Sequence, residues 1–483
     1  MREETGEQKQ MRWRTKWWLI GGLVVLVLCG LAAAVTAAAW LWQSYGAVVG
    51  SLPAAVQSSP TLTPESGGTP EAAEGESANE APAGANPGGG GRLVLVDSRR
   101  QVATIDGEGN NRRQLTDDDR SYQFPVWSPD GEWIAVLGSD DAGSGVYLLA
   151  DAPARDSAPL SIYGSENDAP FYLYWSPDSQ TVSILANHAG SLGLFLAAAG
   201  ENGPARLLTT GQPFYWAWSP SADRLLIHTG ANQEEARLAF IDPTGTKTGE
   251  NLAAPGSFQS PGISASGAYW AFTVEDAAGA RWLVIQNDRG ESETRIPHRG
   301  TAALTWSPAA DRLAFISPDS GGSDLFGPLR LYDAQTGQIA LLTRQTVVAF
   351  FWSPDGRRLA FLTLHGRDSI EASAEMQPLA AIRPAERRAM QRDQLPTMDV
   401  WVVDVGSGNE GFVTSFTPTP LFLAQFLPFF DQYALSHRLW SPDSAALALP
   451  VAENGVPHIM VIPVDGRRPR IVADGMVAFW RQQ

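Results

Sequence analysis

Four of the six histidines in this 483-residue chain, His188, His298, His365 and His437, fall in or near segments that connect apolar runs, where an imidazole can ligate a metal or move a proton. They are scattered along the chain without paired ligand spacing, so a metal-dependent enzyme such as a polysaccharide lyase stands as an alternative and a chain without catalysis as the leading expectation. No Gly-x-Ser-x-Gly elbow occurs, and the glycines at 88–91 lack the strand and lysine of a phosphate loop. No cofactor is expected. Carboxylates cluster at Asp117-Asp118-Asp119, Asp140-Asp141, Glu166 with Asp168, and Glu234-Glu235. They suit solvated loops, a calcium site or a basic partner, but none has the spacing of an EF-hand loop. The rings of Phe422, Phe426, Phe429, Phe430 and Tyr433, together with Arg383, Arg387 and Arg388, are the candidate partner-binding residues, because aromatic and guanidinium groups dominate protein contacts.

The elements that must position these groups are set by a repeat. Trp-Ser-Pro-Asp-Gly occurs at Trp127 and Trp352, Trp-Ser-Pro-Asp-Ser at Trp175 and Trp440, and looser copies at Trp218, Trp306 and Ile263, with Trp480 where a last copy begins. Successive spacings are 48, 43, 45, 43, 46, 88 and 40 residues, and a period in the forties marks a four-stranded propeller blade. An apolar strand runs into each Trp, Pro and Asp-Gly make a tight turn, and a second apolar strand follows, so the motif Asp is a turn residue. The stretch after the last Trp is only three residues, while the array opens at Arg92 with strands two, three and four of a blade. The C-terminal strand around Trp480 is therefore expected to complete the N-terminal blade and close a ring of eight, or of seven if the weak unit at Ile263 is absorbed elsewhere.

Four antiparallel strands per blade sort the loops. The Trp-Ser-Pro turns share one face, and the links between strands two and three and between blades share the other, where variable loops collect. The 88-residue spacing from Trp352 to Trp440 holds two insertions on that variable face. One, near 366–397, has the composition of short helices around residues 380–388; the other, near 416–437, carries the aromatic set. The rings either pack, over the inserted helices or into the channel mouth, or offer a contact surface.

The repeated Trp-Ser-Pro turns and the phrase Asp106-Gly107-Glu108-Gly109-Asn110-Asn111-Arg112-Arg113-Gln114-Leu115-Thr116 resemble the TolB-like propeller family over residues 92–483. The resemblance implies an all-β propeller from a bacterial protein working outside the cytoplasm as a binding module. The chain departs from that family's pattern in its larger repeat number and in the apolar segment at its start.

Residues 17–42 contain no charged side chain, and as a helix they would span about 39 Å against a hydrocarbon core of about 30 Å. Lys and Arg precede this segment and are absent after it until Arg92, which places residues 1–16 in the cytoplasm and the propeller outside it. A cleaved signal peptide ending in the Ala-rich stretch is the competing reading. The lone Cys29 falls inside the segment, so no disulfide framework is available to the propeller. Residues 43–91 form a Pro/Gly/Ala-rich linker whose composition predicts disorder, a tether of roughly 35 to 40 Å. A net charge of -17 argues against nucleic acid and anionic bilayers as partners. The expectation is a single-pass protein of the cytoplasmic membrane whose propeller binds a protein or envelope polymer; a structural spacer is a further alternative.

Overall fold

The structure, a computed structural model, describes residues 91–482 apart from 153–157, 201–203, 231–236, 246–251, 254–259, 277, 290–292, 319–325 and 367–394. The segments 1–16, 17–42 and 43–90, the helices expected around 380–388, and Glu234-Glu235 lie outside the described residues. Among the described residues no helix is long and apolar enough to cross a membrane.

Eight antiparallel sheets follow one another along the chain, which decides for eight blades over seven. Blade 1 joins Val477–Trp480 to Arg92–Val96, Val102–Asp106 and Arg113–Gln114; blade 2 runs from Ser121–Trp127 to Leu160–Ser165, and blade 3 from Pro170–Trp175 to Arg206–Gly211. Blade 4 starts at Phe214–Trp218, blade 5 at Gly262–Ile263, blade 6 at Ala303–Trp306 and blade 7 at Ala349–Trp352. Blade 8 is built on Ala446–Glu453, and its innermost position is a single bridge from Trp440 to Leu447. The weak repeat at Ile263 is thus a blade of its own, with a two-residue inner strand.

Closure of the ring follows the expected register. Leu93 pairs with Trp480, Val94 with Phe479, Leu95 with Ala478 and Val96 with Val477. The first and last strands of the propeller therefore share a sheet, and Arg92–Val96 is paired on both sides. The second strands are almost wholly buried, as in Leu225–Thr229 and Ile134–Asp140, because each sheet is covered on both faces by its neighbours.

The repeat motif makes one turn in four blades. The Ser128 hydroxyl donates to Asp130 Oδ1 at 2.6 Å, and the Trp133 backbone N–H donates to Ser128 Oγ at 3.0 Å. Ser176 with Asp178, Ser353 with Asp355 and Ser441 with Asp443 repeat the first bond at 2.5 to 2.6 Å. These aspartates are structural. The fifth position is left-handed at Gly131 (φ 71), Gly356 (φ 66), Ser179 (φ 63), Ala222 (φ 60) and Ser444 (φ 58). A serine there is strained but gains a partner: the Asp130 N–H donates to Ser179 Oγ, and the Asp355 N–H to Ser444 Oγ, each across a blade boundary.

The motif tryptophans stitch the blades in the same direction. Trp175 Nε1 donates to the Val126 carbonyl, Trp352 Nε1 to Thr305 and Trp440 Nε1 to Phe351, at 3.0 to 3.2 Å, so each indole reaches the residue before the preceding blade's Trp. Trp216 and Trp218 share Ser183 Oγ instead.

Candidate functional site: the channel plug and the variable face

Between blades 7 and 8 the chain turns into the ring. Pro418 bridges to Val451, and Thr419 Oγ1 donates to the Met476 carbonyl at 3.2 Å, fixing the entry point between blades 8 and 1. A π-helical turn (Phe422–Phe426), a 3-10 turn with Pro428 near its start (Leu427–Phe429) and a short helix, α1 (Phe430–Ser436), then cross the channel. Phe422 stacks on Phe426 with ring centres 4.7 Å apart, and Phe426 meets Phe479 of blade 1, Phe351 of blade 7 and Tyr433. Phe430 packs edge-on against Phe350, and Tyr433 lies against Phe124 of blade 2 and Tyr172 of blade 3. The Gln432 amide donates to the Trp216 carbonyl of blade 4, its Oε1 accepts from Ser260 at the start of blade 5, and α1 packs on the inner strand of blade 6. The segment touches all eight blades.

This geometry corrects the candidate contact surface. Phe422 and Phe426 are 0% exposed, and Phe430 and Tyr433 are buried with them in the main core cluster, so they plug the channel and cannot meet a partner. Only Phe429, 42% exposed beside the exposed Pro428, keeps an outward ring. Arg383, Arg387 and Arg388 lie outside the described residues. Periodicity could not decide the matter, since a ring facing a partner and a ring facing a channel wall are both apolar.

The histidines separate. His437 ends α1, 1% exposed, with the Ser436 hydroxyl donating to Nδ1 at 2.7 Å and Nε2–H pointing to the Phe124 carbonyl at 3.4 Å. Tyr172 extends this network to Ser436 and to the Gln432 carbonyl. Burial drives the His437 pKa down to about 3, so the ring is neutral. Burial also lowers the pKa of His298. His188 bonds Asp168 at 3.0 Å and lines a groove of about 350 Å³ between blades 2 and 3, whereas His365 bonds Asp399 at 2.7 Å on blade 7. Among the described residues no three His, Cys, Asp or Glu side chains gather as a metal-binding group.

The acidic loops are partly neutralised from within. Asp118 takes Arg120 at 2.8 Å and the Tyr122 hydroxyl at 2.9 Å, and Asp117 pairs with Arg99 at 3.3 Å. Asp119, Asp141 and Glu166 remain exposed on the variable face of blades 1 and 2.

Two charged groups of the plug were not singled out from the sequence. Asp431 accepts from the Gln432 N–H, and burial pushes its pKa up to about 6 while the N–H groups of Gln432 and Ser260 oppose the rise. Arg438 donates to the Ala434 carbonyl at 3.0 Å, and burial lowers its pKa. A signal existed for Arg438: two places before the repeat Trp or its equivalent, the other seven blades carry Pro125, Leu173, Trp216, Pro261, Leu304, Phe350 and Ala478, none of them charged, so a guanidinium there is out of pattern.

No family model matches the chain, and no curated protein matches it. Solved structures with a similar fold include TolB from Acinetobacter baumannii, 13% identical over 79% of this chain and 79% of that one, with a TM-score of 0.37. An oligogalacturonate lyase in complex with manganese is 15% identical over 78% of this chain and 98% of its own, with a TM-score of 0.45. Citrobacter koseri AztD is 13% identical over 80% of this chain and 96% of its own, with a TM-score of 0.47. On its eight sheets and closed register the chain is an eight-bladed β-propeller, and its structural neighbours include TolB proteins.

Proposed function

We propose that this protein is a membrane-tethered binding module, which holds its propeller outside the cytoplasm and presents the variable face to a protein or envelope polymer without turning it over. The observation that carries the reading is the plug. Rings from residues 422–433 occupy the axis where a propeller would otherwise offer a deep pocket, which leaves a broad face of loops. On that face the exposed Phe429 and Pro428 and the carboxylates of Asp119, Asp141 and Glu166 supply an apolar point and negative charge, a combination suited to a partner with basic side chains.

Crosslinking and affinity capture of the full-length protein from its own membranes tests this. A specific partner whose capture falls with Phe429→Asp supports it. Turnover of an oligosaccharide by the purified protein, abolished by a chelator, overturns it in favour of the lyase alternative. Protease added to intact spheroplasts tests the topology separately: cleavage within residues 50–91 that frees a fragment starting near Arg92 supports the tether. A mature protein that already begins after Ala39 overturns it in favour of a cleaved signal.

A further inference from the structure

The groove between blades 2 and 3 has two walls. One is Leu160–Ser165, the outermost strand of blade 2; the other is the sheet of blade 3, with Phe195 on its third strand. Two glycines shape it. A Cβ at Gly193 would sit 2.8 Å from the Phe195 ring and 3.0 Å from the His188 Cβ, so the bare backbone lets both side chains close over this strand. A Cβ at Gly164 would meet only Ser161 Oγ, at 3.9 Å, and both residues line the groove, so the space beside the edge strand stays open. The Tyr163 and Phe195 rings, 5.2 Å apart, form a nearly buried apolar floor.

Asp168 lies on the link from blade 2 to blade 3 and His188 at the end of the second strand of blade 3, which puts both at the variable-face end of the groove. The pair is held from several sides. Ser165 Oγ accepts from the Asp168 N–H at 2.9 Å, the Tyr163 hydroxyl donates to the Asp168 carbonyl at 2.8 Å, and the His188 ring meets Phe195 edge-on at 5.5 Å. Asp168 Oδ2 lies 3.0 Å from His188 Nδ1. With the proton of the neutral ring on Nδ1, Nε2 is an acceptor. Among the described residues neither Nε2 nor Asp168 Oδ1 has a hydrogen-bond partner, and both side chains are 32% exposed.

The groove therefore offers a half-free carboxylate and a ring nitrogen above two aromatic rings, and none of its described lining residues is Lys or Arg. Glu166, exposed two residues before Asp168, adds negative charge at the mouth. Such a site selects a donor that carries positive charge and an apolar stem. A guanidinium fits better than an ammonium, because it is planar, gives up its water more readily, and can donate to two separate acceptors while resting against an aromatic ring.

We propose that this groove receives an arginine side chain of a partner protein, its guanidinium donating to Asp168 Oδ1 and His188 Nε2 and its stem lying against Tyr163 and Phe195. The inference rests on the binding-module reading and narrows it to a protein partner with an exposed arginine.

The test titrates the full-length protein with N-acetyl-arginine amide, and with its citrulline analogue, which keeps the shape and lacks the charge, in a calorimeter. Saturable binding of the arginine compound alone is expected. Asp168→Asn preserves the shape of the side chain and should weaken binding about tenfold or more. Gly164→Leu fills the open groove without touching the Asp168–His188 pair, and it should abolish binding while Tm stays at the wild-type value; it carries the test should Asp168→Asn fail to fold. Equal binding of the two compounds, or variants that bind arginine as wild type does, overturns the proposal, and binding of methyl glucoside in their place overturns it in favour of a sugar subsite. The two readings fail separately. A partner captured from membranes equally well by Gly164→Leu sinks the groove and leaves the binding module standing, whereas arginine binding with no partner captured supports the groove and sinks the module.

Discussion

The belt of Trp-Ser-Pro turns and the plug hold the same ring by opposite means. The belt is redundant: the same Ser-to-Asp bond recurs within each of four turns, and the same indole bond recurs between blades, each indole spanning a single blade boundary. The plug is singular, one stretch of chain that reaches every blade. A repeated local bond can be lost once with little consequence, whereas a unique long-range contact has no substitute. The difference teaches that repeats build the ring and a non-repeating insertion fixes its axis.

The largest effect should come from opening the ring itself. Removing residues 476–483 deletes the inner strand of blade 1 and the Phe479 ring that stacks on the plug, so belt and plug fail together. Aggregation or loss of a cooperative melt in size-exclusion and thermal measurements is expected; a monomer with unchanged Tm would mean that closure does not depend on this strand. Next comes Phe426→Ala, which empties the centre of the plug and should cost about 3–5 kcal/mol by denaturant titration. A cost under about 1 kcal/mol would demote the plug to a loop that merely rests in the channel.

Acid sharpens the comparison because the plug holds two groups that titrate in opposition. His437 has a folded pKa of about 3, below its unfolded value, so the unfolded chain binds the extra proton and stability falls as pH drops from about 6.5 toward 3. Asp431 has a folded pKa of about 6, above its unfolded value, so the folded chain binds the extra proton and stability rises as pH drops from about 6 toward 4. Relative to wild type, His437→Gln should therefore gain stability as pH falls from 6 to 4, and Asp431→Asn should lose it. Tm differences that stay flat across this window would show that neither group is held as the packing requires.

The smallest effects belong to the belt. Ser179→Ala removes one cross-blade acceptor and should cost about 1 kcal/mol. Ala222→Gly relieves a left-handed alanine and should gain about 0.5–1 kcal/mol, read as a small rise in Tm. A Ser179→Ala cost as large as that of Phe426→Ala would erase the distinction between the two regions.

Much of the ring was readable from spacing alone. The turn at Trp127 specifies itself through Ser128 and Asp130, within three residues, so its recurrence narrows the blade count to eight or seven, and the partnerless strands at Arg92 and Trp480 imply each other. Local chemistry repeated at a fixed period survives translation into structure because each copy meets the same neighbours. The plug had no such copy. The burial of Phe422, Phe426, Phe430 and Tyr433 and the neutrality of His437 depend on which residues of distant blades converge on the axis, from Phe124 to Phe479. Composition showed that these rings need cover. Only closure of the ring, which brings residues more than 300 positions apart into contact, decided that the channel supplies it.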